Sequence, residues 1–275
     1  MLALAASAAW GLSDFLGGLA SRGRPAVAVL VVSQTTGLIP LTVLALVVGG
    51  DAPSGVWVPG LLGGVSTGLG LLALYRALAI GPMSVVAPLF PLGAIVPVAV
   101  GVLSGDRPSW IQGVGIVAAV GGCFLAARAP GDEGGPVVRA GIVAALLAAL
   151  GIGGGIVGLD AAADHDAIWG LEAARAGALA AIAAVAVATI GPARLRRDVV
   201  PMRPLATIGL IDVSANASLA FATTFGLISI VSVLSSIYPV VTVLLARAVL
   251  KERMQSVQVV GVALAFGGVA ALVAG

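Results

Sequence analysis

Long apolar runs alternate along the whole chain with short clusters of glycine, proline and charge. A helix that crosses a bilayer needs roughly 20 mostly apolar residues, and the runs reach that length repeatedly. Breaking the chain at the Gly/Pro/charge clusters predicts helices near 2–20, 26–49, 55–80, 83–104, 109–127, 138–158, 167–190, 204–225, 228–249 and 256–274. The longest polar connections are Ala129–Pro136, Leu159–Asp166 and Gly191–Arg203, and none has room for a soluble domain. The expected fold class is an all-α integral membrane protein with ten transmembrane helices.

Composition sharpens that expectation. Of 275 residues, 60% are hydrophobic and only 9% charged, whereas a soluble domain carries about a quarter charged residues. Such a chain cannot clothe a globule in polar groups, but a bilayer removes the need. The net charge of +2 is small and scattered, so no nucleic-acid partner is expected. The N-terminus has no basic n-region and Asp14 interrupts its apolar stretch, so it reads as the first membrane helix and not as a signal peptide.

The chain also repeats. Asp106–Gly122 (DRPSWIQGVGIVAAVGG) lies on Glu252–Gly268 (ERMQSVQVVGVALAFGG) at a constant offset of 146. Arg107 meets Arg253, Gln112 meets Gln258, Gly115 meets Gly261, and Gly121–Gly122 meets Gly267–Gly268. A weaker echo sets Ala8–Gly11 against Ala148–Gly151 at an offset of 140. The unit is half the chain and holds five helices. Five is odd, so the second copy enters the membrane from the opposite side, an arrangement that puts a substrate site near the midplane where the halves meet.

These residues resemble the EamA family of the drug/metabolite transporter superfamily. The resemblance is carried by Ala87–Arg107 with the Gln112/Gly115/Gly121–Gly122 helix, by Leu234–Arg253 with Gln258/Gly261/Gly267–Gly268, and by Trp10–Gly11. It implies two inverted five-helix repeats, here residues 1–128 and 138–275 joined by 129–137. It also implies movement of small metabolites such as amino acids, with helices one, three, four, six, eight and nine around a central cavity and helix seven more peripheral. The chain departs from the family pattern at Asp106, where a glutamate is usual, and in the connection between helices two and three, which carries only Asp51. The expected setting is a bacterial plasma membrane, with the lipid bilayer and a small-molecule substrate as partners and a monomer or homodimer as the assembly.

The chemistry-bearing residues are few. Lys251 is the single lysine and follows Leu250, so no Gly-Lys-Ser/Thr phosphate loop exists and ATP is not an expected partner. His165, the single histidine, lies between Asp164 and Asp166, and Cys123 is the single cysteine; neither a metal nor a cofactor is expected. An ionisable group in mid-span costs about 2.5–3.5 kcal/mol on insertion scales and so faces a cavity or a partner. Asp14, Glu172, Arg175 and Asp212 are the groups in question. Glu172 and Arg175, three residues apart, are expected to form a structural ion pair. Asp14 follows Trp10 by one turn, and Asn216 follows Asp212 by one turn. These four residues, with Ser235, Ser236 and Tyr238 beside Pro239, are the candidates for contact with substrate or with a coupling proton. Satisfied helix–helix contacts are the simpler alternative for each. Three other functions stay open: a flippase or permease for a lipid-linked sugar, an intramembrane enzyme using Asp14 and Asp212 as a carboxyl dyad, and an assembly subunit without a cavity.

Arginine and lysine gather at the odd-numbered connections, among them Arg22, Arg24, Arg139, Arg194, Arg197, Lys251 and Arg253. That bias predicts cytoplasmic odd connections, while the family resemblance implies cytoplasmic termini.

Overall fold

The computed structural model describes residues 1–105, 107, 109–126, 135–199, 203–225, 234 and 237–274. Its helices are α1 (Leu2–Gly23), α2 (Ala26–Val48), α3 (Trp57–Ile80), α4 (Met83–Leu103), α5 (Trp110–Ala126), α6 (Pro136–Ala163), α7 (Ala167–Val199), α8 (Arg203–Phe225), α9 (Tyr238–Val249) and α10 (Ser256–Ala274). No strand occurs among the described residues. Six helices, α1 to α4, α6 and α7, are long and apolar enough to cross a membrane; the other four are shorter apolar helices. Leu46, Val47, Val58, Leu62 and Val117 stand at least 66% exposed on their outer faces, as a surface solvated by acyl chains allows.

Three elements differ from the sequence expectation. α4 is helical only at its ends, Met83–Val86 and Ile95–Leu103, and winds as a 3₁₀ helix over Ala87–Ala94. Pro88 and Pro91 lie in that stretch, and each removes an N–H and crowds the carbonyl one turn back. α6 runs on through Leu159–Ala163, and the turn before α7 shrinks to residues around His165. There the Asp166 carboxylate accepts from the N–H groups of Ile168 and Trp169, capping α7. Gly191, at φ 74° and ψ 159°, breaks α7 before Pro192, where the sequence expects the span to end, but the connection beyond it is itself helical as far as Val199.

The repeated residues have physical work to do. Gln112 reaches back to the Ser109 N–H while the Ser109 hydroxyl accepts from the Gln112 N–H, a reciprocal cap on α5. Gln258 makes the equivalent bond to the Gln255 N–H on α10. A Cβ on Gly122 meets the backbone of Gly261 and Ala265, and a Cβ on Gly268 meets the backbone of Gly115 and Ala119. Each late residue of one helix therefore faces the early residues of the other, so α5 and α10 run antiparallel in a self-complementary seam. Gly121 and Gly267 have open space instead, and packing does not explain them.

The same reciprocity extends across the bundle. Gly64 packs on the Ala174 backbone as Gly209 packs on that of Ser33, and Gly11 lies under Tyr238 and Val241 as Gly153 lies under Gly93 and Val96. The pairing of α3 with α6 and α7 has its counterpart in that of α8 with α1 and α2, and α4 on α6 matches α9 on α1. This packing equates Gly11 with Gly153, two residues beyond the Gly151 suggested by the short sequence echo.

Connections gather at two ends. At one, the Glu252 carboxylate accepts from Arg22 (3.3 Å), from the N–H groups of Met83 (3.2 Å) and Ser84 (2.9 Å), and from the Ser84 hydroxyl (2.8 Å). At the other, the Trp169 indole N–H donates to the carbonyls of Gly49 and Gly50, and the His165 ring lies over Gly55. α2 separates them with 23 residues, about 34 Å at 1.5 Å per residue. With Cys123 replaced by alanine, cysteines at Asp51 and Arg253 are expected to react with an impermeant maleimide from opposite sides of the membrane. Labelling of both from one side overturns the reading of α2 as a span.

Candidate functional site

A cavity of about 520 Å³ lies among the helices, within the ~300–1,000 Å³ range of small-molecule sites. Its wall is mostly apolar, with Leu71, Leu74, Phe90, Ile152, Leu171 and Leu219 among its residues. Polar groups enter from α1 (Trp10 and Asp14), α2 (Gln34), α3 (Thr67), α7 (Arg175), α8 (Asp212 and Asn216) and α9 (Tyr238). The 3₁₀ stretch of α4 contributes Phe90, Pro91, Gly93 and Ala94, so the irregular backbone borders the cavity rather than lipid.

Of the residues singled out in the sequence, Trp10, Asp14, Asp212, Asn216 and Tyr238 thus reach one cavity. Ser235 and Ser236 lie outside the described residues. Trp10 and Tyr238 meet edge to face, with ring centroids 6.2 Å apart and planes at 70°. The Asn216 amide donates to the Asp212 carbonyl one turn earlier at 2.8 Å.

The expected Glu172–Arg175 ion pair is not formed. Arg175 instead gives one guanidinium nitrogen to Asp212 at 2.6 Å and another to the Gln34 side-chain oxygen at 3.3 Å. Glu172 accepts from the Thr42 hydroxyl at 2.7 Å, and its second carboxylate oxygen has no partner among the described residues. Three helical steps turn the two side chains about 60° apart around the axis. Arg175 therefore looks into the cavity and Glu172 into the α2–α7 contact. α7 is accordingly a wall of the cavity, not a peripheral helix. Sequence reading missed Gln34 and Thr67; a glutamine amid the apolar run of α2 was the available signal.

Carrying the matched packing pairs along each helix equates Trp10 with Ile152, Asp14 with Ile156, Gln34 with Arg175, Thr67 with Asp212, Asn216 with Leu71, and Tyr238 with Gly93. All of these line the cavity. Position is shared between the halves while chemistry is not, and Arg175 bonds its own counterpart, Gln34.

The Arg175 and Asp212 side chains are 10% and 25% exposed, so each depends on the other for compensation. Arg175→Met is expected to destabilise the folded protein by about 3 kcal/mol, the low end for breaking a buried pair. Arg175→Met/Asp212→Leu together should cost less than Arg175→Met alone. Thermal unfolding in detergent measures both, and a double variant weaker than the single one contradicts the pairing.

The sequence model of the EamA-like transporter family matches residues 1–128 and 139–274. No curated protein matches the chain. A solved crystal structure of another protein superposes with a TM-score of 0.61, at 21% identity over 98% of this chain and 94% of that one; at that identity the likeness concerns the fold. Two family matches spanning nearly all of a chain with membrane-crossing helices leave one assignment: the protein belongs to the EamA-like transporter family, and is a multi-pass membrane transporter of the drug/metabolite transporter superfamily.

Proposed function

We propose that this transporter carries small metabolites such as amino acids by alternating access, through ten spans arranged as two inverted five-helix repeats, residues 1–128 and 138–275. The observation that carries the reading is a cavity built by both halves around polar groups, and the Glu252 carboxylate clamps the connections at one end of the bundle. The antiparallel α5–α10 seam and the matched packing pairs support the inverted arrangement. A rocking carrier keeps its site on the axis while contacts at either end break in turn. The Glu252 clamp suits that task, because it joins the segment after α9 to the first turn of α4 and the last turn of α1. Such a bond network is strong when dry and is exchanged for water when the end opens.

Where flux is coupled to a proton, Asp14 is the residue to carry it, since the Asp212 carboxylate is held by Arg175. That engagement also speaks against a carboxyl dyad of Asp14 and Asp212.

Reconstituted in liposomes, the protein is expected to catalyse saturable uptake and counterflow of a compound from an amino-acid and amine panel. No flux above protein-free liposomes across the panel, with and without a pH gradient, sinks the reading. Glu252→Gln removes the charge from the clamp, and charge-assisted bonds are worth about 1.5–3 kcal/mol. Flux is expected to fall on the order of tenfold with the ligand-induced rise in Tm retained; unaltered flux removes the clamp from the cycle.

A further inference from the structure

Among the described residues, exposed cationic side chains gather at one end of the bundle, the end of the Glu252 clamp. Arg22 closes α1 and bonds Glu252, and Arg247, Lys251 and Arg253 flank Glu252 along the chain. Arg76 lies one turn before the end of α3, which leads straight to the Met83 N–H held by Glu252. Arg139 opens α6, where Gly141 packs on Gly81. Beyond the break at Gly191, Arg194, Arg196 and Arg197 are exposed on the short helix to Val199, while Leu195 is half-buried and Val199 packs against the core. The described acids at this end are engaged, Glu252 in the clamp and Asp198 with Arg194 at 3.6 Å. At the opposite end, beyond α4, stands a single described cation, Arg107, and the carboxylates of Asp51, Asp160 and Asp164 are exposed there.

The cations come from α1, α3, α6, α7 and the segment after α9, so they spread over the whole end and do not converge on a pocket. A spread layer of positive charge matches a plane of fixed negative charge. The anionic headgroups of a cytoplasmic leaflet form such a plane, and each Lys or Arg beside it strengthens attachment about fivefold. Short connections rich in Lys and Arg are also the ones that stay in the cytoplasm during insertion. Independently of what the cavity carries, we infer that the basic end is an anionic-phospholipid surface seated on the cytoplasmic leaflet, with the arginines of the Ala193–Val199 helix as its densest headgroup contact. The beginning of α1 then lies outside, the reverse of the cytoplasmic termini that the family resemblance implies.

Labelling and lipid binding test it separately. In intact bacterial cells expressing the full chain with Cys123→Ala, Asp51→Cys is expected to react with an impermeant maleimide, and Arg253→Cys only after the membrane is opened. Asp164→Cys and Lys251→Cys replace them if either fails to fold. Reaction at 251 or 253 in intact cells, alone or together with the opposite end, overturns the inference. With the purified chain in detergent, dioleoyl phosphatidylglycerol is expected to raise Tm more than dioleoyl phosphatidylcholine or inorganic phosphate. Replacing Arg194, Arg196 and Arg197 together by glutamine should weaken the apparent affinity for phosphatidylglycerol by at least about tenfold, and Arg107→Gln should leave it unchanged. If the triple variant is unstable without lipid, Arg196→Gln alone, with a loss of about fivefold, decides. Equal shifts from the two lipids, a shift from inorganic phosphate as large as that from phosphatidylglycerol, or an affinity indifferent to these arginines overturns the lipid surface. None of these outcomes touches the transport reading, which the liposome panel decides.

Discussion

Hydrocarbon offers a polar group no partner, and that constraint organises this protein. Each hydroxyl, amide or charge placed inside a span must be answered by another helix, by its own backbone or by a water-filled space. Most of the answers are visible side chain by side chain; the Ser7 hydroxyl and one Glu172 oxygen have none among the described residues. Thr35 and Thr36 bond back to carbonyls one turn earlier. Ser13 donates to the Ile208 carbonyl, Ser66 to that of Gly151, and Thr242 to that of Gly11, each linking two helices. Arg175, with several donors, cannot be answered so cheaply. It gathers Asp212 of α8 and Gln34 of α2 about itself, and the cavity forms where that cluster and Asp14 meet.

Small residues make the gathering possible. Association of helices in lipid has no hydrophobic drive and relies on close packing. Gly60, Gly64 and Gly68 form a stripe on α3 that lets its backbone touch α7 at Ala173, Ala174 and Ala178, while Gly63 and Gly70 do the same against α6. Arg175 projects from the α7 face held in this way. The glycine stripe thus fixes the wall from which the guanidinium enters, and substitution there acts on the site through its scaffold.

Hydrophobic runs and their breaks were legible in the sequence because the bilayer makes length and apolarity nearly sufficient for a span. Asp14 and Asp212 were legible as cavity residues for the same reason: a charge inside such a run has few places to go. The partner of Arg175 was not legible. Spacing along one helix made Glu172 the near candidate, but the outcome depended on which way α7 faces, a property of packing between helices. The broken middle of α4 was announced by its prolines and the break in α7 by Gly191 and Pro192, whereas the short helix that follows to Val199 was not. There glycine and proline interrupt the helix, and the residues that follow are good helix formers. The 146-residue repeat was read correctly as similarity, and the structure adds the cause for part of it: a cap at Gln112 and Gln258 and a seam at Gly122 and Gly268.

The cavity joins two halves that match in shape and differ in charge. Equivalent positions around it hold Asp14 and Ile156, Gln34 and Arg175, Thr67 and Asp212. A pair of identical halves cannot put a single charge off the axis, because each charge brings its copy. Here the first half presents a lone carboxylate beside an indole, and the second an ion pair already satisfied. The two sides of the cavity therefore differ in the polar groups they present. The packing is matched between the halves, whereas the lining of the cavity is not. In this chain the residues that set the packing and those that line the cavity with polar groups are largely different residues.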